Sequence, residues 1–156
     1  MLMTYRITGL DPAPFKPLFG LSDAQLAERE IVRVSVTDPG FPCRVSLTDR
    51  ALGETVLLVN HVSHDVANPY RASHAIFVTE FEQDAACFVD EVPPVFEKRI
   101  LSLRGFDEAG MMADAILTQP GEADNGIRKL FENPAIATIH AHNASRGCFA
   151  AKIERN

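Results

Sequence analysis

The chain has 156 residues, a length typical of one domain, and we expect a single domain over residues 1–156. Apolar residues make up 46% and charged residues 23%, a composition that excludes an intrinsically disordered protein. The net charge is −6 and no basic cluster is visible, which argues against nucleic-acid binding, because phosphate contacts need grouped lysines and arginines.

The predicted elements begin with a strand over residues 4–10. A helical turn starts at Asp11-Pro12, and a second short helix starts at Ser22, where Ser22 and Gln25 form a capping-box pattern. The middle of the chain alternates between apolar and polar residues, which is typical of strands. We predict strands at residues 31–36, 41–47, 55–62, 74–81, 98–104 and 111–118.

Residues 82–95 are acidic and carry a Pro-Pro pair, so we predict an exposed connection there. A helix is predicted over residues 122–133, with Ala123, Ile127, Leu130 and Phe131 on one face. The whole pattern indicates an α+β fold: a twisted or partly closed antiparallel sheet of about six to eight strands, with two or three helices.

The last twenty residues predict a hairpin with a short loop at residues 143–147. The apolar pattern favours one register, in which Ala141–Phe149, Ile139–Ala151 and Ala137–Ile153 face the core. The other face then pairs His142 with Cys148, His140 with Ala150 and Thr138 with Lys152. Opposed residues have Cβ atoms about 5 Å apart, so this register predicts that Cys148 and His142 meet.

Several longer motifs resemble a bacterial family known as domain of unknown function 1203. They are Gly40-Phe41-Pro42-Cys43-Arg44-Val45-Ser46-Leu47, Pro69-Tyr70-Arg71, Leu101-Ser102-Leu103-Arg104, His142-Asn143-Ala144 and Gly147-Cys148. The segments 6–10 and 18–22 are also similar to the N-terminus of that family. The resemblance implies a single cytoplasmic domain and points to Arg44, Arg104, His142, Asn143 and Cys148, but it implies no activity, substrate or cofactor.

The Cys148–His142 pair is the first candidate site. A thiolate is a nucleophile, and a neighbouring imidazolium favours the thiolate form of a cysteine. Asn143 could orient the histidine or donate to an oxyanion. The alternative is that Cys148 is a small packing residue at the end of a hairpin.

Arginines and histidines give two further candidate sites. Arg44, Arg71, Ser102 and Arg104 could hold a small anion, although arginines in a chain with 21 acidic residues also form ordinary ion pairs. His140 and His142 lie on one strand face, and with Cys148 they would make an alternative zinc site, but we predict no metal and no cofactor. Three cysteines at wide spacing do not form a disulfide framework, and free thiols favour a cytoplasmic location.

Three functions follow from these candidates. The first is a small-anion pocket beside the Cys148–His142 pair that carries out thiol-dependent enzymatic or redox chemistry. The second is a non-catalytic module that binds a small anion in the same pocket. The third is a protein–protein interaction domain. The start of the chain lacks a signal-peptide pattern and no apolar run could span a membrane, so we expect no membrane association and leave the oligomeric state open.

Overall fold

The computed structural model describes residues 3–82 and 84–156, so Met1, Leu2 and Gln83, the last within the predicted connection at 82–95, lie outside the described residues. Within the described residues, the strands are β1 (Tyr5–Thr8), β2 (Val32–Ser35), β3 (Pro42–Cys43), β4 (Thr48–Asp49), β5 (Thr55–His64), β6 (Ala72–Val78), β7 (Cys87–Val89), β8 (Leu101–Phe106), β9 (Met112–Thr118), β10 (Thr138–Asn143) and β11 (Phe149–Arg155). The helical segments are a 3-10 helix (Ala13–Leu18), α1 (Asp23–Ala27), α2 (Pro94–Glu97) and α3 (Ala123–Phe131).

The larger sheet, which we call sheet A, has six antiparallel strands in the order β7-β1-β11-β10-β8-β9. Helix α3 packs on one face of it. The buried side chains of this helix are those of the predicted apolar stripe, and they join β-strand residues such as Leu103, Ile139 and Ile153 in one core cluster. The predicted helix and its apolar face are therefore confirmed.

The smaller sheet, sheet B, has five strands in the order β2-β5-β6-β3-β4, and β3 pairs with β6 in parallel. Its inner face forms a second core cluster with the 3-10 helix and α1. Phe149 of sheet A belongs to this second cluster, so the two sheets share a core around that ring. Short antiparallel strands in sequence-adjacent pairs and a few helices make this an α+β fold, as the sequence predicted.

The division of the strands into two sheets was not predicted. Alternation of apolar and polar residues reports which faces are buried, but it carries no information about which strands pair over long sequence distances. The predicted connection at 82–95 also contains β7 and the start of α2, and β7 completes one edge of sheet A.

The predicted strand over residues 41–47 is wrong. The chain pairs as a strand only through Pro42–Cys43 and then turns, with the N–H of Leu47 donating to the carbonyl of Cys43 at 2.9 Å. Leu47 has a φ of +55°, which is the left-handed region. Because the segment turns, Arg44 does not lie on an outer strand face: it is buried together with Cys43 and Val45.

The helices are short. In the part of the chain that the structure describes, none has the length and apolar character needed to cross a bilayer.

Candidate functional site

The sulfur of Cys148 accepts hydrogen bonds from two side chains. Arg44 donates from Nη2 at 3.2 Å, and Asn143 donates from Nδ2 at 3.3 Å. Cys148 is half-buried at the end of the loop that joins β10 to β11, and the N–H of Asn143 donates to its carbonyl at 2.9 Å. The loop therefore presents the thiol to two N–H donors, one of which is charged.

Arg44 is held rigidly. Its Nε donates to the carbonyl of Phe149 at 2.8 Å and its Nη1 donates to the carbonyl of Pro42 at 2.7 Å, and the side chain is 3% exposed. Burial lowers the pKa of Arg44, and the sulfur of Cys148 acts against this effect. An arginine still keeps its proton in proteins, so Arg44 is a buried cation.

No carboxylate of the described residues pairs with Arg44. The charges that act on it come from Cys148, Cys43 and the like-charged Arg99. A buried charge is costly unless a partner compensates it. The side-chain acceptor that meets this buried cation is the sulfur of Cys148.

The predicted cross-strand pairing of His142 with Cys148 is wrong. The β10–β11 pairs are His140–Lys152 and Ala141–Ala151, and a bulge after Ala141 then sets His142 opposite Phe149. The register is thus shifted by two residues from the predicted one. A shift of two preserves the faces, so the shared core face of Ile139, Ala141, Ala151 and Ile153 is confirmed, but the bulge moves Phe149 to the other face.

The imidazole of His142 forms a hydrogen bond with the backbone of the β10–β11 loop. Its Nδ1 lies 2.9 Å from the carbonyl of Gly147, which can only accept, so Nδ1 carries the proton in this hydrogen bond. Burial lowers the pKa of His142 to about 4, and the ring is therefore neutral at pH 7. The positive charge beside Cys148 comes from Arg44, whereas the sequence had indicated an imidazolium.

Asn143 brings a second polar feature. Its Nδ2 donates to Cys148, but its Oδ1 is buried and has no hydrogen-bond partner among the described residues. Asn143 and Arg44 both line a small cavity of about 10 Å³. The site therefore keeps an unused acceptor next to the guanidinium.

Arg104 and Ser102 lie on β8, directly beside β10. Ser102 pairs with His142 and Arg104 pairs with His140, and Nε of Arg104 donates to the hydroxyl of Ser102 at 3.2 Å. Among the described residues, Arg104 forms no ion pair with a carboxylate. Burial is the main cause that lowers the pKa of His142. The positive charges of Arg104 and Arg44 lower this pKa further. Two unpaired guanidinium groups thus act on the same imidazole.

Arg71 is not part of this site. It is exposed in the loop between β5 and β6, where its Nε lies 3.2 Å from the carboxylate of Asp65. The structure therefore brings together Arg44, Asn143 and Cys148, places Ser102, Arg104 and His142 on the adjoining strands, and separates Arg71 from them.

Cys148 opens onto a surface cleft of about 980 Å³. The cleft is bounded by the β10–β11 loop, the segment before β3 and the residues after α2. Its cationic lining residues are Arg44, Lys98, Arg99 and Arg146, and its acidic lining residue is Asp38. The sequence pointed to Arg44 alone in this set, because Lys98, Arg99 and Arg146 lie in segments with no motif.

All five histidines of the chain lie along the space between the two sheets. The ring centroids of His74 and His142 are 4.8 Å apart, and those of His64 and His140 are 5.1 Å apart. His61 pairs with His74 across β5 and β6. The described residues nevertheless contain no group of three side chains that could hold a metal ion. The structure therefore gives no support to the alternative zinc site at His140, His142 and Cys148.

The family model for "Protein of unknown function (DUF1203)" matches residues 40–155. The chain belongs to this family. No curated protein and no solved structure matches the chain. The segment of this DUF1203 protein that the family model covers contains Arg44, Arg104, His142, Asn143 and Cys148, together with the whole lining of the cleft from Gly40 onward.

Proposed function

We propose that this DUF1203 protein binds a small anionic ligand in the cleft and acts on it through the thiolate of Cys148. The observation that carries the proposal is the contact between Cys148 and Arg44, which is buried and has no carboxylate partner among the described residues. Arg44 and Asn143 hold the sulfur, and the cationic lining of the cleft attracts the ligand.

The energetics of Arg44 support a thiolate. The two carbonyls that accept from it carry only partial charge, so they satisfy donors without neutralising the cation. The side-chain acceptor that meets this cation is the sulfur of Cys148, and a thiolate there is the form that would neutralise it. A charge-assisted hydrogen bond of this kind is about twice as strong as a neutral one.

The charge of the cleft supports an anionic ligand. The chain as a whole carries a net charge of −6, yet four of the charged residues that line the cleft are cationic and one is acidic. Low-dielectric walls concentrate such a local field and raise the local concentration of oppositely charged molecules.

The test is alkylation of Cys148 by neutral iodoacetamide at several pH values, with mass spectrometry assigning the modified cysteine. An ordinary thiol reacts roughly thirtyfold faster at pH 9.5 than at pH 7.0, because its thiolate fraction rises by that factor. We expect the rate at Cys148 to rise by a clearly smaller factor over this range than the rate of an ordinary thiol. Exposed Cys87 serves as a reference thiol within the same molecule.

Variants separate the contributions to this reactivity. Arg44→Gln keeps a donor but removes the charge, and we expect it to restore the ordinary pH dependence. Two further variants are controls in case Arg44→Gln fails to fold. Arg44→Lys keeps a cation beside the sulfur, and Asn143→Ala leaves Arg44 in place. His142→Gln should change the profile little, because the ring is neutral. An ordinary profile in the wild-type protein would contradict the proposal.

A non-catalytic anion-binding module is a second candidate, because the cationic lining of the cleft does not depend on the thiol. Thermal stabilisation by inorganic phosphate that is unchanged in Cys148→Ser, together with an ordinary thiol at Cys148, would favour this function.

A further inference from the structure

The site at Cys148 offers a fixed positive charge and no acid or base in contact with the sulfur. Among the described residues, the side chains that hydrogen-bond to the sulfur are Arg44 and Asn143, and neither exchanges a proton near neutral pH. His142 is neutral and its Nδ1–H is bound to Gly147. Reactions that must protonate a leaving amine or alcohol need a general acid, which this arrangement lacks.

Thiol–disulfide exchange needs no such group. A thiolate attacks one sulfur of a disulfide, a new S–S bond forms, the old S–S bond breaks, and the departing sulfur leaves as a thiolate. The charge is the same before and after the step, and no proton moves. A thiolate stabilised by a buried arginine fits this reaction, and the cations of the cleft stabilise the departing thiolate.

The other two cysteines are not placed to resolve the product. Cys43 is fully buried and lines the small cavity of about 10 Å³ instead of the cleft. Cys87 and Lys152 both pair with Thr8, so Cys87 lies level with Lys152 and two strands away from it. Cys148 lies four residues before Lys152 in the chain, and the spacings of a sheet then put Cys87 and Cys148 roughly 16 Å apart. A disulfide needs Cα atoms within about 7 Å. The mixed disulfide at Cys148 would therefore persist until an external thiol removes it.

The cleft selects the charge of the partner. Arg99 is bound to Asp49, but the side chains of Lys98 and Arg146 form no ion pair with another described residue, and both line the cleft beside Cys148. Two free cations at the mouth of the site favour a molecule with carboxylates a few bonds from its sulfur.

We propose that Cys148 exchanges with a small anionic disulfide, forming a mixed disulfide within the cleft and releasing an anionic thiol. This inference rests on the proposed function and specifies the class of ligand and the reaction.

The test compares three small disulfides of similar size that differ in charge: 3,3′-dithiodipropionate (anionic), bis(2-hydroxyethyl) disulfide (neutral) and cystamine (cationic). Intact-protein and peptide mass spectrometry measures the rate of mixed-disulfide formation at Cys148 and Cys87 separately. At low ionic strength we expect Cys148 to react about tenfold faster with dithiodipropionate than with cystamine. Salt at 0.5 M should reduce this difference.

Two double variants each remove two positive charges, one inside the cleft lining and the other outside it. Lys98→Gln with Arg146→Gln should abolish the preference of Cys148 for the anionic disulfide. Lys16→Gln with Lys129→Gln removes two exposed lysines outside the cleft lining and should leave the preference intact.

The outcomes separate the two proposals. Fast reaction of Cys148 with the neutral disulfide but no charge preference would overturn the anionic class and leave the thiolate site standing. Slow reaction with all three disulfides, at or below the rate of Cys87, would overturn both. A preference for dithiodipropionate that is lost in the Lys98/Arg146 variant alone supports the inference.

Discussion

Lowering the pH from 7.5 to 5.0 should destabilise the folded protein through His140 and His142. Burial is the main cause that lowers the pKa of His140 to about 3 and that of His142 to about 4, against an ordinary value of 6.5. A histidine with a lowered pKa in the folded state takes up its proton more readily after unfolding. Its contribution to stability is therefore complete above pH 6.5 and is lost as the pH falls toward the folded-state pKa.

The size of the effect follows from these values. At pH 5.0 both residues are protonated in the unfolded chain and still neutral in the folded protein. Each pKa unit corresponds to about 1.4 kcal/mol. The pH of 5.0 lies 1.5 units below the ordinary histidine pKa of 6.5, so the loss of stability is about 2 kcal/mol for each residue and about 4 kcal/mol for the two. This is a large part of the 5–15 kcal/mol that typically stabilises a domain.

The assay is urea denaturation followed by far-UV circular dichroism at pH 7.5 and at pH 5.0. The double variant with His140→Leu and His142→Leu keeps apolar volume in the space between the sheets and removes both titrating groups. Its free energy of unfolding at pH 7.5 can differ from that of the wild type, but its change between the two pH values should be smaller by about 4 kcal/mol. The reasoning would be refuted if the free energy of unfolding of the double variant changed between the two pH values by as much as that of the wild type.

Three further predictions concern stability. Arg44→Met should lower the free energy of unfolding by about 3 kcal/mol in chemical denaturation, since it removes the hydrogen bonds that Arg44 donates to two buried carbonyls, and Arg44→Lys should recover part of the loss. Gly9→Ala should cost at least about 2 kcal/mol, because its Cβ would lie 2.0 Å from the backbone oxygen of Val45; a variant as stable as the wild type would contradict this packing. Ser22→Ala should cost about 1 kcal/mol, measured the same way, through loss of the capping box at α1, and Ser22→Asn should cost much less.

Local features of the fold were predictable because their causes lie within a few residues. The capping box at Ser22 forms as expected, and the apolar stripe of α3 packs on a sheet. The shared face of Ile139 and Ala141 in the last hairpin also follows from alternation. Alternation did not reveal the bulge after Ala141, because Phe149 and Ala151 are both apolar and read as continuous alternation, although the extra residue places them on opposite faces.

The candidate site was predictable as a set of residue types, but its geometry was not. Cys148, Asn143 and Arg44 were all singled out from the sequence, and the structure joins them. The sequence paired Cys148 with His142, because the hairpin was the one place where the pattern of residues indicated a strand pairing. The bulge changes that pairing, and the contact with Arg44 lies outside the hairpin. The neutral state of His142 also depends on burial between two sheets, which no local pattern reports.

The fold class, most of the strand and helix positions and the buried faces follow from the sequence, because the period of apolar residues is a local property. Long-range packing sets three features that the sequence did not show: the strands divide into two sheets, all five histidines line the space between them, and Arg44 meets Cys148 across 104 residues of chain. Contacts at that separation depend on how whole sheets pack, and a single chain's pattern of residues is compatible with many such packings.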